Sequence, residues 1–283
     1  MKKELQSLDR ILKNSRVKRN NFVNNLMDVD NIKVLVWTFA KTGTTTLASS
    51  FQQNISGTKS FKNVTHSHGE PCWFNNISQE LKQIGFTFKM LIEYINSKGI
   101  RPVVIQSYRC PVDTHISAHF HKIQKNNKLS VNTDGLSKYA SCLAPQALKP
   151  IDLFTGQESY INYLEKTFNG IWTHNFDKVR GYGFHQEPDY DILYTTTDYI
   201  KKLPDNIKLI KELKEYHNLK ITKRNLTYTK EPGTYSNYKK TLTFERKVIN
   251  HIYNIHSKPL NFFYTKDKIK YMLQSALNKY SCI

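Results

Sequence analysis

The sequence predicts an α/β protein with a central parallel sheet flanked by helices on both faces. Residues 32–39 (IKVLVWTF) and 101–108 (RPVVIQSY) are rich in β-branched and aromatic side chains, which is typical of strands that are buried on both faces. Each run is followed by residues with helical spacing. Strands that alternate with helices imply crossover connections, and these connections produce parallel strands with helices packed on the sheet.

The other predicted elements follow in chain order. The predicted strands are residues 32–39, 60–65, 101–108 and 191–196. The predicted helices are residues 44–53, 77–97, 112–124, 159–167, 203–216, 243–255 and 266–278. Residues 223–240 are rich in Tyr, Thr and Lys and contain a Pro-Gly pair, which predicts a loop. Ligands of parallel sheets bind beyond the carboxyl ends of the strands, so the turns that follow the strands are the candidate binding segments.

Length and composition favour one domain. We predict a basic N-terminal segment at residues 1–30 and a single domain at residues 31–283, because no Pro/Gly/Ser-rich linker and no internal repeat divides the second range. The cysteines are scattered, with no CxxC pair and no His/Cys grouping at zinc spacing. His115 and His119 share a helix face but His121 does not, and no acidic residue joins them. We therefore expect no metal site.

The charge balance predicts an anionic partner. Lys and Arg together number 42 against 23 Asp and Glu, for a formal net charge of +19, and such a surface attracts anions. Nucleic acid is not expected as the partner, since no nucleic-acid-binding motif is present. We expect no membrane span and a cytoplasmic protein, because no stretch approaches about 18 to 20 apolar residues and the first residues lack a signal-peptide core.

Residues 41–46 (KTGTTT) combine the groups of an anion-binding turn. They come directly after the strongest predicted strand and open a helix, whose N-terminal N–H groups carry partial positive charge. Gly43 allows close approach of the backbone. This is not a Walker A loop, because Lys41 precedes the glycine. A Thr-rich helix cap without a ligand is the alternative, and the order of strand, Lys, Gly and Thr favours the anion site. The candidate residues are Lys41, Thr42, Gly43, Thr44, Thr45 and Thr46.

This turn resembles the 5′-phosphosulfate loop of the sulfotransferases that use 3′-phosphoadenosine 5′-phosphosulfate (PAPS). In that family a strand runs into a Pro-Lys-Ser/Thr-Gly-Thr-Thr type turn, and Ala40 stands here where the family has Pro. The resemblance implies a P-loop NTPase-like sulfotransferase fold with PAPS as the co-substrate. It also implies that no metal is required, since Lys41 and the helix N-terminus neutralise the charge on the leaving nucleotide.

A second motif follows the strand at residues 101–108. Arg109 leaves this strand two residues before Pro111, and Ser117 lies eight residues after the arginine. On its own, an Arg at a strand end most often forms a surface ion pair. In the sulfotransferase family, however, an Arg-x-Pro turn with a Ser at this spacing binds the 3′-phosphate of the nucleotide. The resemblance therefore assigns Arg109 and Ser117 to that phosphate.

His66 and His68 are the candidate catalytic bases. They follow the short second predicted strand, and an imidazole with a pKa near neutrality suits removal of a proton from an acceptor hydroxyl. Some glycan sulfotransferases resemble this region and use the second His of a His-x-His as the base. The resemblance thus favours His68 as the base, with His66 beside it and Lys41 on the leaving group. A structural or surface role is the alternative, since the chain has 10 histidines.

The second half resembles bacterial capsular polysaccharide synthesis proteins that share the sulfotransferase fold. The resemblance rests on residues 172–182, 191–200 and 252–273, and it implies a carbohydrate acceptor such as a glycan or a capsular polysaccharide. The Arg-Lys-Gly motif that cytosolic sulfotransferases place on the nucleotide is absent. Three alternatives stay open: a phosphotransferase that needs Mg²⁺ and an acidic ligand at a strand end, a non-catalytic member of a polysaccharide synthesis system, and a nucleic-acid-binding protein.

Overall fold

The computed structural model describes residues 31–38, 42–56, 64–67, 87–127, 160–222 and 234–281, together with Gln6 and Arg10. Apart from those last two residues, the predicted N-terminal segment 1–30 lies outside the described residues. Contacts within the chain define two compact units. The first combines Met1–Tyr108 with Tyr163–Arg224, and the second combines Arg109–Asn162 with Asn225–Ile283. The single domain at residues 31–283 stays a prediction.

A five-stranded sheet forms the centre of the first unit, in the order β2-β1-β3-β5-β4. Its strands are β1 (Val34–Trp37), β2 (Val64–Ser67), β3 (Val103–Tyr108), β4 (Tyr182–Gln186) and β5 (Asp191–Thr196). β2, β1, β3 and β5 are parallel, and β4 joins β5 antiparallel at the edge. The predicted α/β class is confirmed, and the predicted parallel sheet is confirmed except at β4. The antiparallel strand β4 was not predicted, since Gly183 interrupts its short and weakly apolar sequence.

The helices of the described residues belong to both units. They are α1 (Thr44–Ser56), α2 (Phe88–Asn96), α3 (Pro111–Asn127), α4 (160–167), α5 (Leu203–Ile207), α6 (Thr234–Thr241), α7 (Arg246–Ile255), α8 (Ser257–Phe263) and α9 (Lys266–Tyr280). Among the described residues, no helix combines the length and the apolar composition that crossing a bilayer requires.

Helices cover both faces of the sheet, as predicted. Val34 and Val36 belong to one buried cluster with Leu47 of α1. Side chains alternate between the two faces along a strand, so Trp37 points to the opposite face. There the Trp37 ring meets Phe88 of α2 edge to face, with 5.0 Å between ring centroids. Both faces of β1 are therefore excluded from solvent, which is why its sequence is continuously apolar.

Several predicted elements are wrong in their bounds. The helix predicted at residues 77–97 begins only at Phe88, because Thr87 is extended and caps it; residues 77–86 lie outside the described residues. β2 extends to Ser67, so that His66 lies within the strand rather than after it. Residues 203–216 do not form one helix: α5 ends at Ile207, and a 3-10 segment follows at Lys211–Tyr216. The buried side chains Ile207, Ile210, Leu213 and Tyr216 recur every three residues, which fits the three residues per turn of a 3-10 helix better than an α-helix.

The second unit contains α3 and the three C-terminal helices. α7 packs against α3, α8 and α9, with Ile249 and Ile252 buried on its apolar face. The predicted loop 223–240 is wrong from Thr234 onward, because α6 begins there and its Tyr235 packs on Phe120 of α3 with ring centroids 5.0 Å apart. Its first residues, 223–233, lie outside the described residues.

Candidate functional site

The segment after β1 opens α1 in the way that the sequence predicted. The first helical hydrogen bond runs from the Leu47 N–H to the Gly43 carbonyl over 2.9 Å, so Gly43 is the cap and the following threonines form the first turn. N–H groups of a first turn have no acceptor within the helix. This turn also holds no acidic side chain, and the positive end of the helix dipole therefore faces no neighbouring carboxylate of its own turn.

Gly43 is required by the backbone and by the packing. Its φ is +82°, and a Cβ there would lie 2.5 Å from Cδ1 of Ile200. L-residues rarely adopt this left-handed conformation. Ile200 follows the carboxyl end of β5, so the glycine lets the turn after β1 lie directly against the turn after β5.

A chain of hydroxyl groups fixes Thr42 to the neighbouring strand. The Thr38 hydroxyl donates to the Ser107 carbonyl, and the Thr42 hydroxyl lies 2.6 Å from the Thr38 hydroxyl. Because Thr38 has one hydroxyl proton, Thr42 is the donor in the second bond. The Ser107 hydroxyl in turn donates to the Thr42 carbonyl over 2.7 Å. The Thr42 side chain is buried, so its hydroxyl bonds fix the conformation of the turn.

Two further hydroxyl groups at this edge of the sheet are buried without a bond. The Thr44 and Thr196 hydroxyls have no hydrogen-bond partner among the described residues, although Thr44 is 4% exposed and Thr196 fully buried. Buried polar groups in proteins nearly always have a partner. Thr44 opens α1 and Thr196 ends β5. An anion accepts hydrogen bonds, and it would satisfy a hydroxyl at the start of the helix. Thr45 and Thr46, next in the turn, are half-buried.

Two predicted catalytic residues, Lys41 and His68, lie outside the described residues. His66 is placed by its backbone alone: it pairs with Val36 in the parallel β1–β2 register. That position is one residue before the end of β2, at the edge of the sheet where β1 also ends. The structure thus brings the backbone of His66 to the edge that carries the Gly43 turn.

Arg109 and Ser117 belong to the second unit. Arg109 directly follows β3, Pro111 opens α3, and Ser117 lies half-buried on that helix. The surroundings of Arg109 in this unit include the phenol of Tyr280. Burial and the negative charge of Asp113 raise the pKa of Tyr280 to about 12, while the Arg109 guanidinium acts in the opposite direction. Arg109 therefore lies near the Tyr280 phenol within the second unit.

An acidic residue lies at each end of β5, and the two differ in their surroundings. Asp191 begins the strand and accepts a hydrogen bond from Nη2 of Arg101 at 2.6 Å, as expected for a structural ion pair at the amino end. Asp198 follows the strand at its carboxyl end and is exposed. It was not considered in the sequence analysis, although an acidic residue two positions past a buried strand was visible in the sequence.

The sequence analysis also missed a group of His174, His185 and Glu187. Their ligand atoms lie within 4.8 Å of one another. The signal available was the His-x-Glu spacing at 185–187, which places both side chains on one side of an extended chain. His174 is 11 residues upstream of His185, and only the fold brings it to them.

Fold and site together define an α/β protein with a mostly parallel sheet and an anion-compatible glycine turn at the carboxyl edge. Comparison of the chain with family models, with curated proteins and with solved structures gives no match.

Proposed function

We propose that this protein is a PAPS-dependent sulfotransferase that transfers a sulfuryl group to a hydroxyl of a carbohydrate. The observation that carries the proposal is the start of α1. There a strand, a left-handed glycine and a helix N-terminus without acidic residues lie beside a buried Thr44 hydroxyl that has no partner in the described part of the chain. Such a turn suits a terminal oxyanion of a phosphate or a sulfate. The resemblance of its sequence to the 5′-phosphosulfate loop narrows the anion to PAPS.

The proposal assigns a role to each candidate residue. Lys41 and the turn through Thr46 bind the 5′-phosphosulfate, while Arg109 and Ser117 bind the 3′-phosphate. His68, with His66 beside it, takes the proton from the acceptor hydroxyl, whose oxygen attacks sulfur. The bond between sulfur and the phosphate oxygen breaks, and Lys41 stabilises the negative charge that grows on that oxygen.

Binding of nucleotides tests the proposal without knowledge of the acceptor. Isothermal titration with adenosine 3′,5′-bisphosphate should give one site per chain, and Lys41→Ala should weaken binding by about 10-fold or more, since a charge-assisted hydrogen bond contributes about 1.5–3 kcal/mol. Lys201→Ala is the matched control, because Lys201 is an exposed lysine of the same unit. Equal loss in both variants would refute a specific role for Lys41.

A ligand–variant cycle tests the 3′-phosphate assignment separately. Adenosine 5′-phosphosulfate lacks that phosphate, so it should bind the native protein more weakly than PAPS. Arg109→Ala should remove this difference while leaving the affinity for adenosine 5′-phosphosulfate unchanged. If Arg109→Ala weakens both ligands equally, Arg109 does not meet the 3′-phosphate.

A phosphotransferase is the second candidate, and Asp198 is the observation that favours it. Its carboxylate follows β5 at the carboxyl edge, where a Mg²⁺ ligand is needed for ATP chemistry. Titration with ATP and Mg²⁺ separates the two functions. Tight binding that Asp198→Asn abolishes, together with no binding of adenosine 3′,5′-bisphosphate, would replace the sulfotransferase with this alternative.

A further inference from the structure

A short segment crosses the edge strand β4 and places a histidine above it. The Asp177 N–H donates to the Tyr182 carbonyl over 2.8 Å, and the Gly181 N–H donates back to the Asp177 carbonyl over 2.7 Å. A Cβ at Gly183 would collide with the carbonyl oxygen of Asn175. The glycine therefore lets residues 174–177 lie flat on β4, and this brings His174 onto the strand.

His174, His185 and Glu187 then converge, and we call them the histidine cluster. The two imidazole rings stack, with centroids 3.6 Å apart and an interplanar angle of 16°. Nε2 of His174 lies 3.7 Å from Oε1 of Glu187, and Nε2 of His185 lies 3.4 Å from the same oxygen. One carboxylate oxygen thus faces two imidazole nitrogens.

We propose that the histidine cluster binds a divalent transition-metal ion of the Zn²⁺ type. Imidazole nitrogen and carboxylate oxygen are the ligands that such ions prefer. In a tetrahedral site with bonds of about 2.0–2.1 Å, the ligand atoms are about 3.3 Å apart. The two separations between imidazole nitrogen and carboxylate oxygen, 3.4 and 3.7 Å, are close to this value. Three protein ligands leave the fourth position to a water molecule.

The second ring nitrogen of His174 is held in the way that metal-binding histidines require. Nδ1 lies 2.6 Å from the Tyr194 hydroxyl oxygen, and Tyr194 is fully buried in β5. With Nδ1–H donating to Tyr194, Nε2 carries the lone pair and faces Glu187. Hydrogen bonds of this kind fix the tautomer and the ring orientation of a ligand histidine.

The backbone of Glu187 is fixed from both sides. Its N–H donates to the Tyr190 carbonyl over 2.9 Å, and its carbonyl accepts from Nη2 of Arg101. A carboxylate on an anchored backbone loses little conformational freedom when it binds an ion. Arg101 itself is paired with Asp191, so its positive charge is already shared with another carboxylate.

One imidazole ring must rotate for the ion to bind, and the exposure of the two histidine side chains shows which ring can do so. Lone pairs of parallel stacked rings point side by side, so one ring must turn for both nitrogens to meet one ion. The His174 side chain is 7% exposed and the His185 side chain 38% exposed. His174 is thus the fixed ligand, and His185 has the room to rotate.

The histidine cluster is independent of the proposed function. It lies beside the amino end of β5, since His185 pairs with Ile192 and Gln186 with Asp191. The Gly43 turn contacts residues past the opposite end of that strand, and a strand of this length spans about 17 Å. A metal at the cluster ties residue 174 to the β4–β5 hairpin.

Metal binding to the full chain tests the proposal. After treatment with EDTA and dialysis, isothermal titration with ZnCl₂ at pH 7.5 should show one site that His185→Ala and Glu187→Gln each weaken by about 100-fold or more. Tyr194→Phe, which keeps the ring and removes only the hydroxyl, should weaken it by about 10–100-fold. CoCl₂ should give an intense visible absorption band in the native protein and none in His185→Ala.

His251→Ala is the control, because His251 is an exposed histidine of α7 outside the cluster. It should leave both titrations unchanged. Circular dichroism of each variant establishes that it folds, and Glu187→Gln keeps the side-chain shape if His185→Ala does not fold. The proposal is overturned if the native protein binds Zn²⁺ no more tightly than the cluster variants do, or if the Co²⁺ band survives in them.

Discussion

The bond from the Ser107 hydroxyl to the Thr42 carbonyl should contribute measurably to stability. Both residues are almost fully buried, and the bond is 2.7 Å long. Ser107→Ala removes the donor and leaves the Thr42 carbonyl without it in a place that water does not reach. Loss of a buried hydrogen bond whose acceptor stays desolvated costs about 1–3 kcal/mol in the free energy of unfolding, and we expect this loss.

Ser97→Ala is the matched control for that substitution. The Ser97 hydroxyl also donates to a backbone carbonyl, that of Tyr94, over 2.6 Å, but Ser97 is exposed at the end of α2. Water replaces its bond after substitution, so the cost should stay within about 0.5 kcal/mol. Both serines belong to the first unit, which makes the same unfolding transition report on both.

Urea unfolding followed by tryptophan fluorescence provides the assay, since Trp37 is fully buried in the same sheet. With a slope of about 2 kcal/mol per M, a difference of about 1–2 kcal/mol between the variants moves the midpoint by about 0.5–1 M. Equal midpoints for Ser107→Ala and Ser97→Ala would refute the claim that hydroxyl bonds hold the turn. Thr38→Val, combined with Ser107→Ala, should be non-additive by at least about 0.5 kcal/mol, because both bonds secure Thr42.

Two further predictions concern the Gly43 turn and a buried histidine. Gly43→Ala should destabilise the protein by about 1–2 kcal/mol from its positive φ alone, and by more because the new methyl group meets Ile200; urea unfolding measures this. Burial and the neighbouring His115 lower the pKa of His256 to about 3, whereas an unfolded histidine titrates near 6.5. The unfolded chain therefore binds the extra proton below pH 6.5, so stability should fall between about pH 6.5 and 3. His256→Gln should reduce that slope in unfolding measured at several pH values.

Each of these predictions has a control in the chain. Gly99 also has a positive φ, +74°, but a Cβ there meets nothing within 4 Å. Gly99→Ala should therefore cost only the backbone strain, and a cost equal to that of Gly43→Ala would show that contact with Ile200 is unimportant. For the pH dependence, exposed His251 provides the comparison. If His251→Gln flattens the profile as much as His256→Gln does, burial of His256 is not the cause.

The strands were predictable because their burial is complete. Residues of β1, β3 and β5 are buried at every position, so each strand contains at least three consecutive apolar residues. β4 escaped prediction because it is an edge strand whose exposure alternates irregularly. Residues 203–216 were misassigned because spacings of three and four both place apolar side chains on one side, and the sequence does not show that Leu213 leaves helical geometry.

The Gly43 turn and the histidine cluster also differ in how much of each could be predicted from the sequence. The Gly43 turn is local: strand end, glycine and helix start follow one another in the chain, so the sequence displays the whole arrangement. Its contacts with Ser107 and Ile200 are long-range and were not predictable. In the histidine cluster only His185 and Glu187 are close to each other in the sequence. His174 joins them because Gly183 lets another segment lie on β4, and the sequence records that as a single glycine in a weak strand.

The two ends of β5 explain why the proposed activities can be separated by experiment. Thr196, at the carboxyl end, lies at the edge that holds the Gly43 turn, while Asp191, at the amino end, is paired with Arg101 near the histidine cluster. A rigid buried strand connects the ends, yet no residue belongs to both sites. Loss of Zn²⁺ should therefore lower stability at the β4–β5 edge without changing nucleotide affinity. A metal-dependent change in nucleotide affinity would instead mean that β5 or its flanking turns shift when the ion binds.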